Sequence, residues 1–177
     1  MKAAPRIPAP GFSLTELIVT VLIVAALAGI GFPIVRKGLE SSHKAGCLSN
    51  LRQIGLGLES YLQDNSQVMP MLETGRRSRD EDIPVLENTL DQYLETEEVF
   101  RCPADREVFA ATGSSYIWNS TQSGLRRTQL EFFGTDDPGR IPLVIDKEAW
   151  HPGADTGSNF LYANMTTGNR VSFAVSP

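Results

Sequence analysis

The sequence GFSLTE at residues 11–16, followed by LIVTVLIVAALAGIGFPIV at 17–35, decides how the chain is built. The second stretch is 19 residues without a charged side chain. At about 1.5 Å per residue it makes a helix about 29 Å long, close to the roughly 30 Å hydrocarbon core of a bilayer. Glu16 is the one carboxylate at its mouth. A carboxylate at the bilayer centre costs about 2.5–3.5 kcal/mol on insertion scales, and less near an interface. Anchoring gains nothing from that cost, so the pattern predicts a partner for Glu16. A secretory apolar core spans only about 7–15 residues and ends at a small residue. Here Gly11 precedes the run, and cleavage there leaves the helix on the mature protein.

Working outward, Pro33 with Gly29 and Gly31 marks a weak point where the helix is expected to kink. From residue 36 to 65 the apolar residues Leu39, Cys47, Leu48, Leu51, Ile54, Leu58, Tyr61 and Leu62 recur at spacings of three and four. That spacing predicts an amphipathic helix continuing out of the membrane, with a stop near Asp64-Asn65-Ser66. Residues 83–94 supply a second helical face, with Pro84 suited to a first turn. Beyond the turn at Cys102-Pro103 the texture changes to β, at 115–119, 141–146, 159–163 and 170–175. The last two are joined by a hairpin turn at 164–169. Three or four antiparallel strands packed on the long helix make an α+β head of modest core.

The net charge of −5 becomes −7 when Lys2 and Arg6 are removed (−5 − 2). That acidic balance argues against a nucleic-acid binder. Arg76, Arg77 and Arg79 run straight into Asp80-Glu81-Asp82 and read as a solvated, self-neutralising loop, and Arg126-Arg127 stands alone. Tyr116, Trp118, Phe132, Phe133, Trp150, Phe160, Tyr162 and Phe173 read as the core of a small sheet rather than as a stacking surface.

The stretch Gly11-Phe12-Ser13-Leu14-Thr15-Glu16-Leu17 resembles the processing site of the type IV prepilin and type II secretion pseudopilin family. The resemblance implies a type IV pilin-like fold and a chain in four parts. These are a cleaved basic leader (1–11), a transmembrane assembly helix (12–35), an amphipathic extension (36–65) and a globular head (66–177). It implies cleavage between Gly11 and Phe12 by a prepilin peptidase, N-methylation of Phe12, and an assembly role for Glu16. Pro33 stands where the family often carries a kinking proline. The physics agrees, because the Phe12 amine of a neighbouring subunit can offset the desolvation of Glu16 and fix the axial register. The partners implied are further copies of such subunits, an assembly ATPase and an inner-membrane platform protein. The place implied is the bacterial inner membrane, crossed once, with the head in the periplasm or on a surface filament. Charge alone does not orient the helix, since Arg36 and Lys37 balance Lys2 and Arg6.

The pattern from Cys47 to Gly55, with Tyr61, Cys102-Pro103, Ser115-Tyr116 and a closing strand pair after His151, is similar to a pseudopilin-G-like subgroup of planctomycete- and verrucomicrobium-type bacteria. That subgroup places an Asp-Gly turn after the histidine, where this chain has Ala163-Asn164-Met165.

In an exported head, Cys47 and Cys102 face an oxidising compartment and are expected to pair as a disulfide. It would close a loop of about 55 residues, worth on the order of 4 kcal/mol in the chain-entropy model. The sharper alternative is a metal site in which His43 and Cys47, four apart on one helical face, join Cys102 and His151. Asp136, Asp137, Asp155 and Asn159 are candidate oxygen ligands for calcium, without the spacing of an EF-hand. No nucleophile motif is present. Asp146 and His151 read as a strand end rather than a catalytic pair, so no enzyme is expected. Asn119 and Asn164 fit a glycosylation pattern and read as ordinary turns. The rival to a polymerising subunit is a membrane-tethered periplasmic binding or sensor domain that never assembles.

Overall fold

The computed structural model describes residues 13–152 and 156–170. Phe12, Asp155 and Phe173, with the greater part of the strand expected at 170–175, lie outside the described residues. The architecture is α+β, with one long N-terminal helix, α1 (Leu14–Asp64), and a four-stranded antiparallel sheet. The chain divides into two compact units, residues 1–39 and 40–177, and α1 contributes to both.

In the first unit α1 exposes Leu17, Ile18, Val21, Leu22, Ile30 and Ile34, and it is a candidate membrane span by length and composition. It runs through Pro33 as one helix. Its first turn is closed by a reciprocal pair that the S-x-x-E spacing encodes. The Ser13 N–H donates to Glu16 Oε2 at 2.9 Å, and the Glu16 N–H donates to Ser13 Oγ at 3.2 Å. Glu16 therefore already has one partner within its own helix.

In the second unit Cys47, Leu51, Ile54, Leu58 and Leu62 are fully buried at spacings of four, three, four and four. They form a single stripe facing the core. Each buried Leu or Ile contributes about 1.5–3 kcal/mol. Gly55 lets the helix approach the sheet closely, because a Cβ built there would lie 2.9 Å from Leu161 Cδ1. The helix stops at Asp64, where Asn65 Nδ2 and the Gln67 N–H take the Tyr61 and Leu62 carbonyls.

The sheet order is β1 (Tyr116–Trp118), β2 (Pro142–Asp146), β3 (Phe160–Tyr162), β4 (Thr167–Gly168). Tyr116 lies opposite Asp146, and Ile145 opposite Phe160. A bulge between Pro142 and Val144 turns Leu143 inward, so that three successive residues are buried. The fourth strand begins earlier than its sequence pattern predicts. Thr167 pairs with Leu161 and Gly168 with Phe160, which tightens the turn, with Met165 in the left-handed region at φ 63°. Asn119 and Asn164 each close a turn by accepting from the residue two further on.

Two expectations need correction. Residues 83–94 form only a single turn, α2 (Leu86–Thr89), and a short 3-10 segment at Asp91–Tyr93. Asn88 fixes the start of the turn, since its Oδ1 accepts the Val85 N–H and its Nδ2 donates to the Ile83 carbonyl, which leaves 83–85 outside the helix. The Arg76–Asp82 loop is pinned rather than loosely solvated. Arg76 Nε lies 3.0 Å from Glu87 Oε1 while donating at 2.8 Å to the Thr112 carbonyl. That proton goes to Thr112, so the Glu87 contact is an ion pair without a hydrogen bond. Arg79 stacks over Phe109, 5.0 Å from the ring centroid.

Asp105 organises the short helix α3 (Val108–Thr112). Its carboxylate accepts from the N–H groups of Glu107, Val108 and Phe109 and from Ser115 Oγ. Burial by itself would raise its pKa, but these four donors outweigh burial and hold the carboxyl below its usual range. A depressed folded-state pKa gives stability that is present above the ordinary carboxyl pKa and lost as pH falls through the folded value. Asp105→Ala should therefore cost about 2–3 kcal/mol at neutral pH. The variant should also show a flatter acid limb than the wild type in thermal melts of the detergent-solubilised chain.

Candidate functional site: a buried thiol, imidazole and carboxylate cluster

Four separate segments deliver polar side chains to one place inside the second unit. Cys47 comes from the buried stripe of α1, and Cys102 from the turn after the 3-10 segment Glu97–Phe100. Asp146 ends β2, and His151 lies in the segment between β2 and β3. Cys47 and Cys102 have no exposed surface, and His151 and Asp146 retain 2% and 3%.

The convergence has a backbone cause. A Cβ at Gly46 would lie 2.8 Å from Pro103 Cγ, so only glycine lets the segment before Cys47 press against the residue after Cys102. On the other side, Asp105 holds Ser115 Oγ, and that oxygen accepts the Cys102 N–H at 2.9 Å. The pairing of Tyr116 with Asp146 brings both over Cys47. Cys47 Sγ donates to Asp146 Oδ1 at 3.0 Å and lies 3.4 Å from the Tyr116 hydroxyl. Cys102 Sγ sits 3.3 Å from His151 Nε2, and Asp146 Oδ2 lies 3.5 Å from the same nitrogen. The Asn159 N–H donates to Asp146 Oδ2 at 2.7 Å, and the His151 N–H to the Gly157 carbonyl at 2.8 Å.

The protons are unequally shared. The neighbouring Cys102 sulfur pushes the Cys47 thiol far up, with burial and the Asp146 carboxylate acting in the same sense. Cys102 is lowered, first by the neighbouring Cys47 and then by His151, against the opposing effect of burial. Burial pushes Asp146 up to about 6. Tyr116 is raised by burial first and by Cys47 next.

This geometry is unlike that of an activated nucleophile. A catalytic imidazole uses one nitrogen toward the nucleophile and the other toward the orienting carboxylate. Here the thiol and the carboxylate both approach Nε2. Neither sulfur is open to solvent, so a substrate has no approach to them. Among the described residues, the ligand atoms of Cys47, Cys102 and His151 lie within 4.8 Å of one another, a grouping able to hold an ion.

The sequence pointed to Cys47, Cys102 and His151 but not to the fourth member. Asp146, read from sequence as a strand end, contacts two members of the group, whereas the half-buried His43 is not part of it. The one signal available was an aspartate closing an otherwise apolar strand. The two cysteines are brought together as free thiols. Of the calcium candidates, Asp136 and Asp137 are exposed, and Asp137 Oδ1 is used by the Gly139 N–H. Asn159 is fully buried beside Asp146, and its side-chain amide has no hydrogen-bond partner among the described residues.

The close approach at Gly46 yields a controlled comparison. Gly46→Leu should destabilise the chain by about 1–3 kcal/mol through overpacking, and should speed alkylation of both thiols in the reduced native protein. Gly38→Ala, where an added Cβ meets nothing within 4 Å, should leave both readouts near wild type. Thermal melts and timed alkylation followed by mass analysis provide the measurement. Comparison of the chain with protein-family models, with curated proteins and with solved structures gave no match.

Proposed function

We propose that this chain is a type IV pilin-like structural subunit, processed at Gly11–Phe12 and polymerising through α1 into a secretion-type or pilus-like filament. The observation that carries the reading is Glu16, a carboxylate placed in the first turn of a membrane-length helix that is otherwise uncharged as far as Val35. Two features support it. The apolar surface of α1 in the first unit is exposed on every side, as a segment needs if it is to lie first in lipid and then among copies of itself. The same helix continues into the second unit, where its buried stripe faces the core.

In this reading the prepilin peptidase removes the basic leader and frees the Phe12 amine. The ATPase and the platform protein then draw the subunit from the inner membrane into a bundle of helices, with the head on the periplasmic side. Glu16 is held toward the helix start by Ser13, where its second oxygen remains available to the amine of an adjacent subunit. Burial of either charge alone is expensive, whereas burial of the pair is much less so. Register is thereby set by charge, and cohesion by apolar contact.

Intact-mass analysis of the membrane fraction from a strain with its own peptidase should show loss of residues 1–11 and gain of one methyl group. At matched expression, Glu16→Ala should insert and be cleaved normally but yield far fewer crosslinked multimers. Glu40→Ala should resemble wild type. A mature terminus beyond Val35, or full multimer yield from Glu16→Ala, would overturn the reading and favour a tethered domain that does not assemble.

A further inference from the structure

We propose that Cys47, Cys102, His151 and Asp146 form a four-ligand site for a structural divalent zinc ion that ties α1 to the sheet. The inference stands on the cluster alone and does not depend on assembly.

The distances argue for a common centre. Bonds of about 2.3 Å to sulfur and about 2.0–2.2 Å to nitrogen or oxygen set the ligand atoms of a tetrahedral zinc roughly 3.3–3.8 Å apart. The ligand atoms of Cys47, Cys102 and His151 all lie within 4.8 Å of one another, with Cys102 Sγ 3.3 Å from His151 Nε2. Asp146 flanks them with Oδ1 3.0 Å from Cys47 Sγ and Oδ2 3.5 Å from His151 Nε2, so that turning one oxygen toward the centre completes the set. Convergence of a sulfur and a carboxylate on one imidazole nitrogen gives that nitrogen two partners where it can serve only one well. A cation at the centre satisfies all of them together.

The chemistry of the donor set agrees. Two thiolates, an imidazole and a carboxylate select a borderline-soft ion that accepts tetrahedral geometry, not the hard oxygen-seeking calcium. A disulfide between Cys47 and Cys102 accounts for two of the four groups and leaves the buried Asp146 and His151 to each other. Coordination accounts for all four. Binding holds both sulfurs as thiolates and forms two S–metal bonds. The Cys47 proton leaves to solvent, and the buried charge becomes −1 from two thiolates, one carboxylate and the dication. Outer contacts that orient the ligands are already in place, from the Asn159 N–H to Asp146, from Tyr116 Oη to Cys47 and through the Ser115 hold on the Cys102 backbone.

The test uses the full chain, purified in detergent without chelator from zinc-replete cells. Elemental analysis should give one zinc per chain, and mass analysis should find both thiols reduced. Chelation should lower the melting temperature by several degrees. Reloading with cobalt(II) should produce the intense visible bands and thiolate charge transfer of a tetrahedral site. Cys102→Ser and Asp146→Asn should each weaken cobalt binding more than tenfold, while His43→Ala should bind as wild type does. Because variants in the core can misfold, the zinc content and cobalt spectrum of the unmodified chain are decisive by themselves. A Cys47–Cys102 disulfide in protein taken from the envelope, or reduced thiols that take up neither metal, would overturn the proposal. Loss of metal in His43→Ala with retention in Asp146→Asn would overturn the ligand assignment.

Discussion

The interaction on which the second unit depends is the burial of one stripe of α1. Cys47, Leu51, Ile54, Leu58 and Leu62 have no solvent-exposed surface, and the sheet, the loops and the short helical turns are arranged around them. The remaining elements are too short to stand alone. The strands are two to five residues long and the other helical segments three to five. Helical segments of that length are unstable in isolation, because nucleation costs more than a turn returns. The long helix supplies what they lack, a preformed apolar wall.

The polar cluster lies at the start of that wall, and its placement has a consequence for specificity. A helix slipped by one residue would turn the whole stripe about 100° away from the core and take Cys47 from both Asp146 and Tyr116. The apolar stripe and the polar contacts therefore fix the same register. Asp105 extends the same logic outward, since its carboxylate holds both α3 and the Ser115 oxygen behind Cys102.

Much of this was legible in the chain. The membrane-length run, the three-and-four spacing of the stripe and the helix stop at Asp64 follow from residue type and period. Three of the four strands also fall where β-branched and aromatic residues cluster. The capping pair of Ser13 and Glu16 emerged only with the structure. Other features depend on contacts that no local pattern encodes. Asn88 sets the start of α2 by accepting the Val85 N–H, which leaves residues 83–85 outside the helix. Gly46 and Gly55 in α1 are points of close approach, against Pro103 and Leu161. Asp146 meets Cys47 because β2 pairs with β1 in a register that sets it opposite Tyr116. Ninety-nine residues separate it from Cys47, so sequence proximity could not reveal the contact.

The central claim is that α1 serves as an assembly element and not only as an anchor. It is tested most directly by a photo-crosslinking residue at Ile23, which is exposed midway along the apolar run. Irradiation of intact cells expressing the chain with its own assembly machinery should give a ladder of crosslinked multimers, with links mapping between the α1 helices of neighbouring copies. Crosslinks to lipid alone, with every chain remaining monomeric under conditions in which the assembly machinery is active, would contradict the account.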